Sequence, residues 1–120
     1  MIRFERANHI NICVPPERLE EARQFYTEVI GLKQILRPDH VFPTPGYWFD
    51  IGDIQFHIGI EPVKPRSNRH IAFEVADIAA AKDHLKKHNV EVAVEDVVPG
   101  WDRFSFIDPF GNRMELLKVV

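Results

Sequence analysis

Apolar and polar residues alternate at two places in this chain that share a phrase. Ile10, Ile12 and Val14 alternate with His9, Asn11 and Cys13; 61 positions after His9, a second His-Ile opens the series His70, Ile71, Ala72, Phe73, Glu74, Val75. Period-two alternation predicts half-buried strands, here over 4–14 and 69–75. Pro15-Pro16 ends the first, because proline cannot donate to a ladder. Leu19, Ala22, Phe25, Tyr26 and Val29 fall at helical spacing and predict a helix over 17–30, with Glu17, Glu20 and Glu21 at its positive end and Gly31 as its stop. A short strand over 32–36, a proline-bearing loop over 37–45, and a hairpin of Tyr47–Ile51 and Ile54–Ile60 around Gly52-Asp53 complete this half.

The second half repeats the order. A polar linker over 62–68 leads to the strand over 69–75, then to a helix over 78–88 that Asp77 caps and that turns Ile78, Ala81 and Leu85 inward. A strand over 90–94 follows, then a break at Pro99-Gly100. The last hairpin pairs Trp101–Ile107 with 114–119 across Asp108-Pro109-Phe110-Gly111-Asn112. The pattern is β-α-β-β-β twice. Each half alone is a one-sided sheet with too little core, so the two are expected to pack together.

Strand parity sorts the side chains into two faces. One face carries Ile10, Ile12, Ile54, Phe56, Ile58, Ile71, Phe73, Val75, Phe104, Phe106, Met114 and Leu116, and is expected under the helices. The other carries His9, Asn11, Cys13, Gln55, His57, His70, Ala72, Glu74, Arg103, Ser105 and Glu115. A sheet face in bulk water ordinarily carries Lys, Glu and Thr. Histidines, an amide, a thiol and an arginine describe a lined cavity instead. Two equivalent histidines in a duplicated unit suggest one site at a pseudo-twofold axis, and a metal ion is the simplest thing to put there.

Composition narrows the classes. A length of 120 residues fits one domain over 1–120, with repeats over 1–62 and 66–120. At this size a core forms without disulfides or structural metal. The net charge of −3 gives no basic footprint for nucleic acid. No apolar run approaches the roughly 20 residues of a membrane span, and the first residues lack a signal-peptide core. Cys13 is the only cysteine, which fits a reducing cytoplasm.

Five stretches then carry a resemblance: Asn8-His9-Ile10; Ala22-Arg23-Gln24-Phe25-Tyr26 through Gly31-Leu32; Gly52-Asp53-Ile54-Gln55-Phe56-His57; Arg69-His70-Ile71-Ala72-Phe73; and Asp108-Pro109-Phe110-Gly111-Asn112-Arg113-Met114-Glu115. Over nearly its whole length the chain resembles the vicinal oxygen chelate superfamily, also called the glyoxalase/bleomycin-resistance/dioxygenase family. The last stretch is the most diagnostic. The expected fold class is α+β: two βαβββ repeats forming a curved mixed-sheet half-barrel around a central cavity, helices on the convex side.

The resemblance implies metal ligands on the first and last strands of each repeat: His9, His70 and Glu115. The fourth position lies on Ile54–Ile60, where His57 and Gln55 both face the cavity; His57 is favoured, because imidazole is the better ligand for Zn, Ni, Fe or Mn. The superfamily's shared chemistry is bidentate chelation of a substrate through adjacent oxygens to a divalent ion acting as Lewis acid. Glu115 or a metal-bound water would move a proton. Asn11, Trp48, Gln55 and Arg103 would contact substrate, Arg103 through an anionic group. Each has a plainer reading. A lone strand histidine is ordinarily a hydrogen-bonded structural residue, and Glu115 alone would be a strand-edge charge. His57 could equally border the site, Arg103 could be a solvated rim charge, and Trp48 and Tyr47 could serve packing. Cys13 reads as a wall residue with no positive neighbour to activate it. His40, His84 and His88 read as solvent-exposed.

Departures from subfamily patterns narrow the function. Lactoylglutathione lyases usually place a glutamate ligand where this chain reads Gln55-Phe56-His57-Ile58-Gly59. Fosfomycin-modifying thiol transferases usually place threonine where Asn11 stands. Extradiol dioxygenases share a His-His-Glu triad but commonly in longer chains. The expectation is a metal-dependent enzyme of the glyoxalase/dioxygenase type, acting on a small substrate chelated to the ion. The alternative is a non-catalytic small-molecule-binding protein of the bleomycin-resistance type. The resemblance also implies a homodimer.

Overall fold

A computed structural model describes residues 1–120. The fold is α+β and consists of two compact units, Met1–Val63 and Lys64–Val120, each a βαβββ repeat. Unit 1 contains β1 (His9–Val14), α1 (Leu19–Gln24), β2 (Lys33–Ile35), β3 (Tyr47–Ile51) and β4 (Ile54–Ile60). Unit 2 contains β5 (His70–Glu74), α2 (Ile78–Lys87), β6 (Val92–Val94), β7 (Trp101–Ile107) and β8 (Arg113–Val119). Each has its own four-stranded mixed sheet, ordered β1-β4-β3-β2 and β5-β8-β7-β6. In both, the first strand pairs in parallel with the last and the remaining pairs are antiparallel. No helix is long and apolar enough to cross a membrane.

The first strand is shorter than its alternation predicts. It begins at His9 because its only partner is β4, which the Gly52-Asp53 turn ends; the last ladder bond runs from Gln55 N to Asn8 O at 3.1 Å. Residues upstream of Asn8 have no strand to pair with. The helix expected over 17–30 is three segments: a 3-10 turn Pro16–Arg18, α1, and a π-helical stretch Phe25–Val29. Within the π stretch Phe25 and Tyr26 are both buried against the sheet. Bonds from Ile30 N to Phe25 O and from Gly31 N to Tyr26 O, both 3.1 Å, close its wide turns. Gly31 stops it at φ +89°, a conformation that costs glycine nothing.

Unit 1 packs α1 and its π extension on Ile12, Val14, Phe49, Phe56 and Ile58. Phe56 is fully buried, with the Tyr26 ring 4.7 Å and the Phe49 ring 6.4 Å away. Unit 2 packs Ile78 and Leu85 of α2 against the sheet that carries Phe104, Phe106 and Met114. Asp77 caps α2 by accepting from Ala80 N at 3.0 Å. In β8 burial does not follow the expected faces. Leu117, on the face of Glu115, is buried, whereas Leu116 is only half-buried.

The Asp108–Asn112 connection is built around one carboxylate. Asp108 is buried and accepts from Phe110 N (3.0 Å), Asn112 N (2.8 Å) and Asn112 Nδ2 (3.0 Å), while Gly111 takes φ +93°. The diagnostic stretch thus fixes where β8 begins, and with it the register that carries Arg113 and Glu115.

Phe56→Ala is expected to destabilise the protein by about 3–5 kcal/mol, the usual cost of emptying a core phenylalanine site. Urea unfolding of the two proteins measures it.

Candidate functional site

The two sheets carry the same register on their polar faces. In unit 1, His9 lies opposite Gln55 and Asn11 opposite His57. In unit 2, His70 lies opposite Arg113 and Ala72 opposite Glu115. His57 therefore holds the position in its repeat that Glu115 holds in the other. Trp48, opposite His57, matches Ser105, opposite Glu115.

In unit 1 this register builds an aromatic stack. His57 lies between two rings: Trp48 at 4.1 Å and 2° between planes, and His9 at 4.1 Å and 20°. His9 reaches it along the diagonal of the β1–β4 pair, a span aromatic side chains bridge. His57 Nε2 donates to Gln55 Oε1 at 2.9 Å, which fixes its tautomer. His9 Nδ1 donates to Asn8 Oδ1 at 2.9 Å and leaves Nε2 as its acceptor. Lone pairs of stacked imidazoles lie in nearly parallel planes, so in this arrangement the two rings do not point at one ion. Asn11 Nδ2 donates to Ile12 O at 3.2 Å and contacts Cys13 Sγ at 3.5 Å. Tyr47 turns away, its hydroxyl donating to Glu20 at 2.8 Å.

Burial first, and then the charges of His9 and Arg37, pull the pKa of His57 from 6.5 to about 4. Arg37 was not among the expected site residues. Its side chain is only 11% exposed and is held by Asp39, by Thr44 O (2.9 Å) and over the Phe42 ring (4.5 Å). Gly46 makes room for it: a Cβ there would stand 3.1 Å from Arg37 Nε and 2.6 Å from Ile58 O. A charged residue in a proline-rich loop gives no sequence signal for such a position; Gly46 is the only hint.

In unit 2 the same face is ionic. Glu115 is buried. Arg103 Nη1 donates to Glu115 Oε1 at 2.7 Å, and His70 Nε2 stands 3.4 Å from Glu115 Oε2. Arg113 Nη2 donates to Glu95 at 2.6 Å. Hydrogen bonds from Ser105, then Arg113, hold the Glu95 carboxyl below its ordinary range. Glu95 and Arg113 were not expected at the site; the sequence places Glu95 just past a short strand, where charges are ordinary. His70 Nδ1 lies 3.0 Å from Asn68 O and 2.9 Å from Arg113 Nη1. A carbonyl only accepts and a guanidinium only donates, so these contacts require opposite tautomers. With the proton on Nδ1, toward Asn68, Nε2 is a free ligand atom, the usual support for a metal-binding histidine.

One pair of side chains is spaced as two ligands of a single ion would be. Two donors each about 2.1 Å from one ion, at the tetrahedral angle, lie about 3.4 Å apart. That is the separation of His70 Nε2 and Glu115 Oε2. Neither unit by itself gathers three metal-ligating side chains: unit 1 brings together His9 and His57, unit 2 His70 and Glu115. Arg103 directs its donors to Glu115 and, through Nε and Nη2, to Asp96 O at 3.1 and 2.7 Å. His40, His84 and His88 are exposed, as expected.

The family model for the Glyoxalase/Bleomycin resistance protein/Dioxygenase superfamily matches residues 6–116. No curated protein sequence matches the chain. Among solved structures, a glyoxalase family protein from Bacillus anthracis is similar over 100% of both chains, with 35% identity and a TM-score of 0.89. A fosfomycin resistance protein, FosX, from Listeria monocytogenes is similar over 98% of this chain and 96% of its own, with 19% identity and a TM-score of 0.79. A variant of that FosX, solved with Mn(II) and a dihydroxypropylphosphonic acid, gives 20% identity and a TM-score of 0.82 over 98% and 95% of the two chains.

A histidine whose pKa falls on folding adds stability above its unfolded value and loses it as pH drops toward the folded value. Stability is therefore expected to decline between pH 6.5 and about 4 through His57. Denaturant unfolding across this range should show a shallower decline in His57→Gln. An NMR titration of the wild type should find His57 neutral until about pH 4.

Proposed function

Starting from a chain that belongs to the Glyoxalase/Bleomycin resistance protein/Dioxygenase superfamily, we propose that it is a metal-dependent enzyme whose small substrate chelates a divalent ion through adjacent oxygens. The observation that carries this reading is the His70–Glu115 pair: a buried carboxylate and an imidazole whose donor atoms stand 3.4 Å apart. His9 completes the proposed ligand set, since it matches His70 in the repeat and likewise has Nδ1 anchored on a neighbouring oxygen. His57 occupies the position matching Glu115 and serves as a fourth ligand once its ring leaves the Trp48 stack.

A bound divalent ion supplies Lewis-acid polarisation of the substrate oxygens. The chain's own residues do the rest. Trp48 offers a flat wall to the substrate. Gln55, with its oxygen engaged by His57, turns its amide donors to it; Asn11, opposite His57, lines the same face. Glu115 presents Oε2, the carboxylate oxygen not held by Arg103, to the proposed ion. The FosX variant solved with Mn(II) makes Mn(II) the first ion to try among Mn, Zn, Ni and Fe.

His9→Ala, His70→Ala and Glu115→Ala are each expected to abolish tight Mn(II) binding, measured by calorimetry. Wild-type protein with no bound ion and no thermal shift on adding any of the four would instead support a binding protein without turnover. A homodimer with sites shared between copies is tested by mixing His9→Ala with Glu115→Ala chains. Recovery of metal binding on mixing marks a shared site; no recovery marks a site within one chain.

A further inference from the structure

We propose that Arg103 is a positioning residue that makes Glu115 a one-oxygen metal ligand; this rests on the assignment of Glu115 and His70 as ligands. The two carboxylate oxygens of Glu115 have different neighbours. Oε1 accepts from Arg103 Nη1 at 2.7 Å, and Oε2 faces His70 Nε2 at 3.4 Å. The guanidinium is not free to swing. Its Nε and Nη2 both donate to Asp96 O, a backbone acceptor, at 3.1 and 2.7 Å. A planar fork held at one edge by a fixed carbonyl presents its other edge in one direction.

The register explains how the guanidinium reaches Glu115. Ser105 lies directly opposite Glu115, and Arg103 lies opposite Leu117. The small Ser105 side chain leaves the diagonal open. Both partners are well shielded, with 16% of the Arg103 and 4% of the Glu115 side chain exposed. In such surroundings a charge-assisted bond holds its geometry far better than at the surface. With Oε1 occupied, a divalent ion shared with His70 meets Oε2 alone, and coordination positions stay open for the two oxygens of a chelating substrate. A bidentate carboxylate would fill one of them. The role proposed here acts through Glu115 and does not include contact with substrate.

Two effects of removing Arg103 have opposite signs. Loss of a positive charge beside the ion strengthens metal binding. Loss of the group that orients a ligand weakens it, typically about 10- to 100-fold. Positioning predicts that the second prevails.

The test titrates full-length wild type, Arg103→Met, Arg103→Lys, His70→Ala and Glu115→Ala with Mn(II), and records the visible spectrum of each with Co(II). Circular dichroism of the metal-free proteins reports folding separately. Arg103→Met is expected to bind Mn(II) about 10- to 100-fold more weakly. Its Co(II) bands should weaken as the freed oxygen raises the coordination number. Arg103→Lys keeps the charge and one donor but not the fork, and is expected between Met and wild type in both readouts. A purely structural arginine would change unfolding without changing the Co(II) spectrum. Wild-type or tighter Mn(II) affinity in Arg103→Met, with an unchanged Co(II) spectrum, overturns the proposal. If Arg103→Met does not fold, wild-type behaviour of Arg103→Lys overturns it. Wild-type Mn(II) binding by both His70→Ala and Glu115→Ala means instead that the ligand assignment itself is wrong.

Discussion

The parallel pairing of the first and last strands of each repeat is the constraint on which the site depends. A parallel neighbour cannot be reached by a tight turn; it needs a crossover. Here the crossover is a helix plus two antiparallel strands, so residues far apart in the chain become lateral neighbours. His9 meets Gln55 and His57 this way, and His70 meets Arg113 and Glu115. The same pairing decides the faces. A slip of one residue in either parallel ladder would turn each histidine into the apolar layer under the helix. The core and the chemistry thus rest on one register, maintained on one side by Phe56 and its aromatic neighbours and on the other by Phe104, Phe106 and Met114.

From that common frame the two repeats diverge in kind. The first builds its polar face from rings: Trp48, His57 and His9 in contact, with the central imidazole kept neutral by burial and by nearby positive charge. The second builds it from ions, with Arg103 of β7 paired to Glu115 of β8 and Arg113 of β8 paired to Glu95, just past β6. The central imidazole of that stack stays uncharged down to about pH 4. An ionic cluster instead sets the direction of its carboxylate. The proposed metal set draws on both.

Much of this was legible in the sequence because period-two and helical spacings report burial directly. Both hairpins, the Asp77 cap and the alternation of β1 and β5 follow from residue types alone. What was not legible was what depends on a partner. The start of β1 is set by the length of β4, and the division of the first helix into 3-10, α and π segments leaves no mark in the residue spacing. Parity also groups the candidate residues within each sheet: His9 stacks on His57 in the first unit, and His70 and Arg103 meet Glu115 in the second. Arg37 and Glu95 escaped because loop side chains have no period; only Gly46, whose missing side chain admits Arg37, marks the spot. Rotamers escaped as well. Parity says that Arg103 shares a face with Glu115 but not that it grips it.

Asp108 gives the last lesson. The stretch that most readily marks this chain as kin to others is a loop knotted around one buried carboxylate. Its task is to start a strand on the right residue. Three bonds to Asp108 hold the shape of the loop, and β8 carries Arg113 and Glu115 onward from it on one face. The loop therefore works as a datum for the sheet, from which the aim of every side chain along β8 is measured.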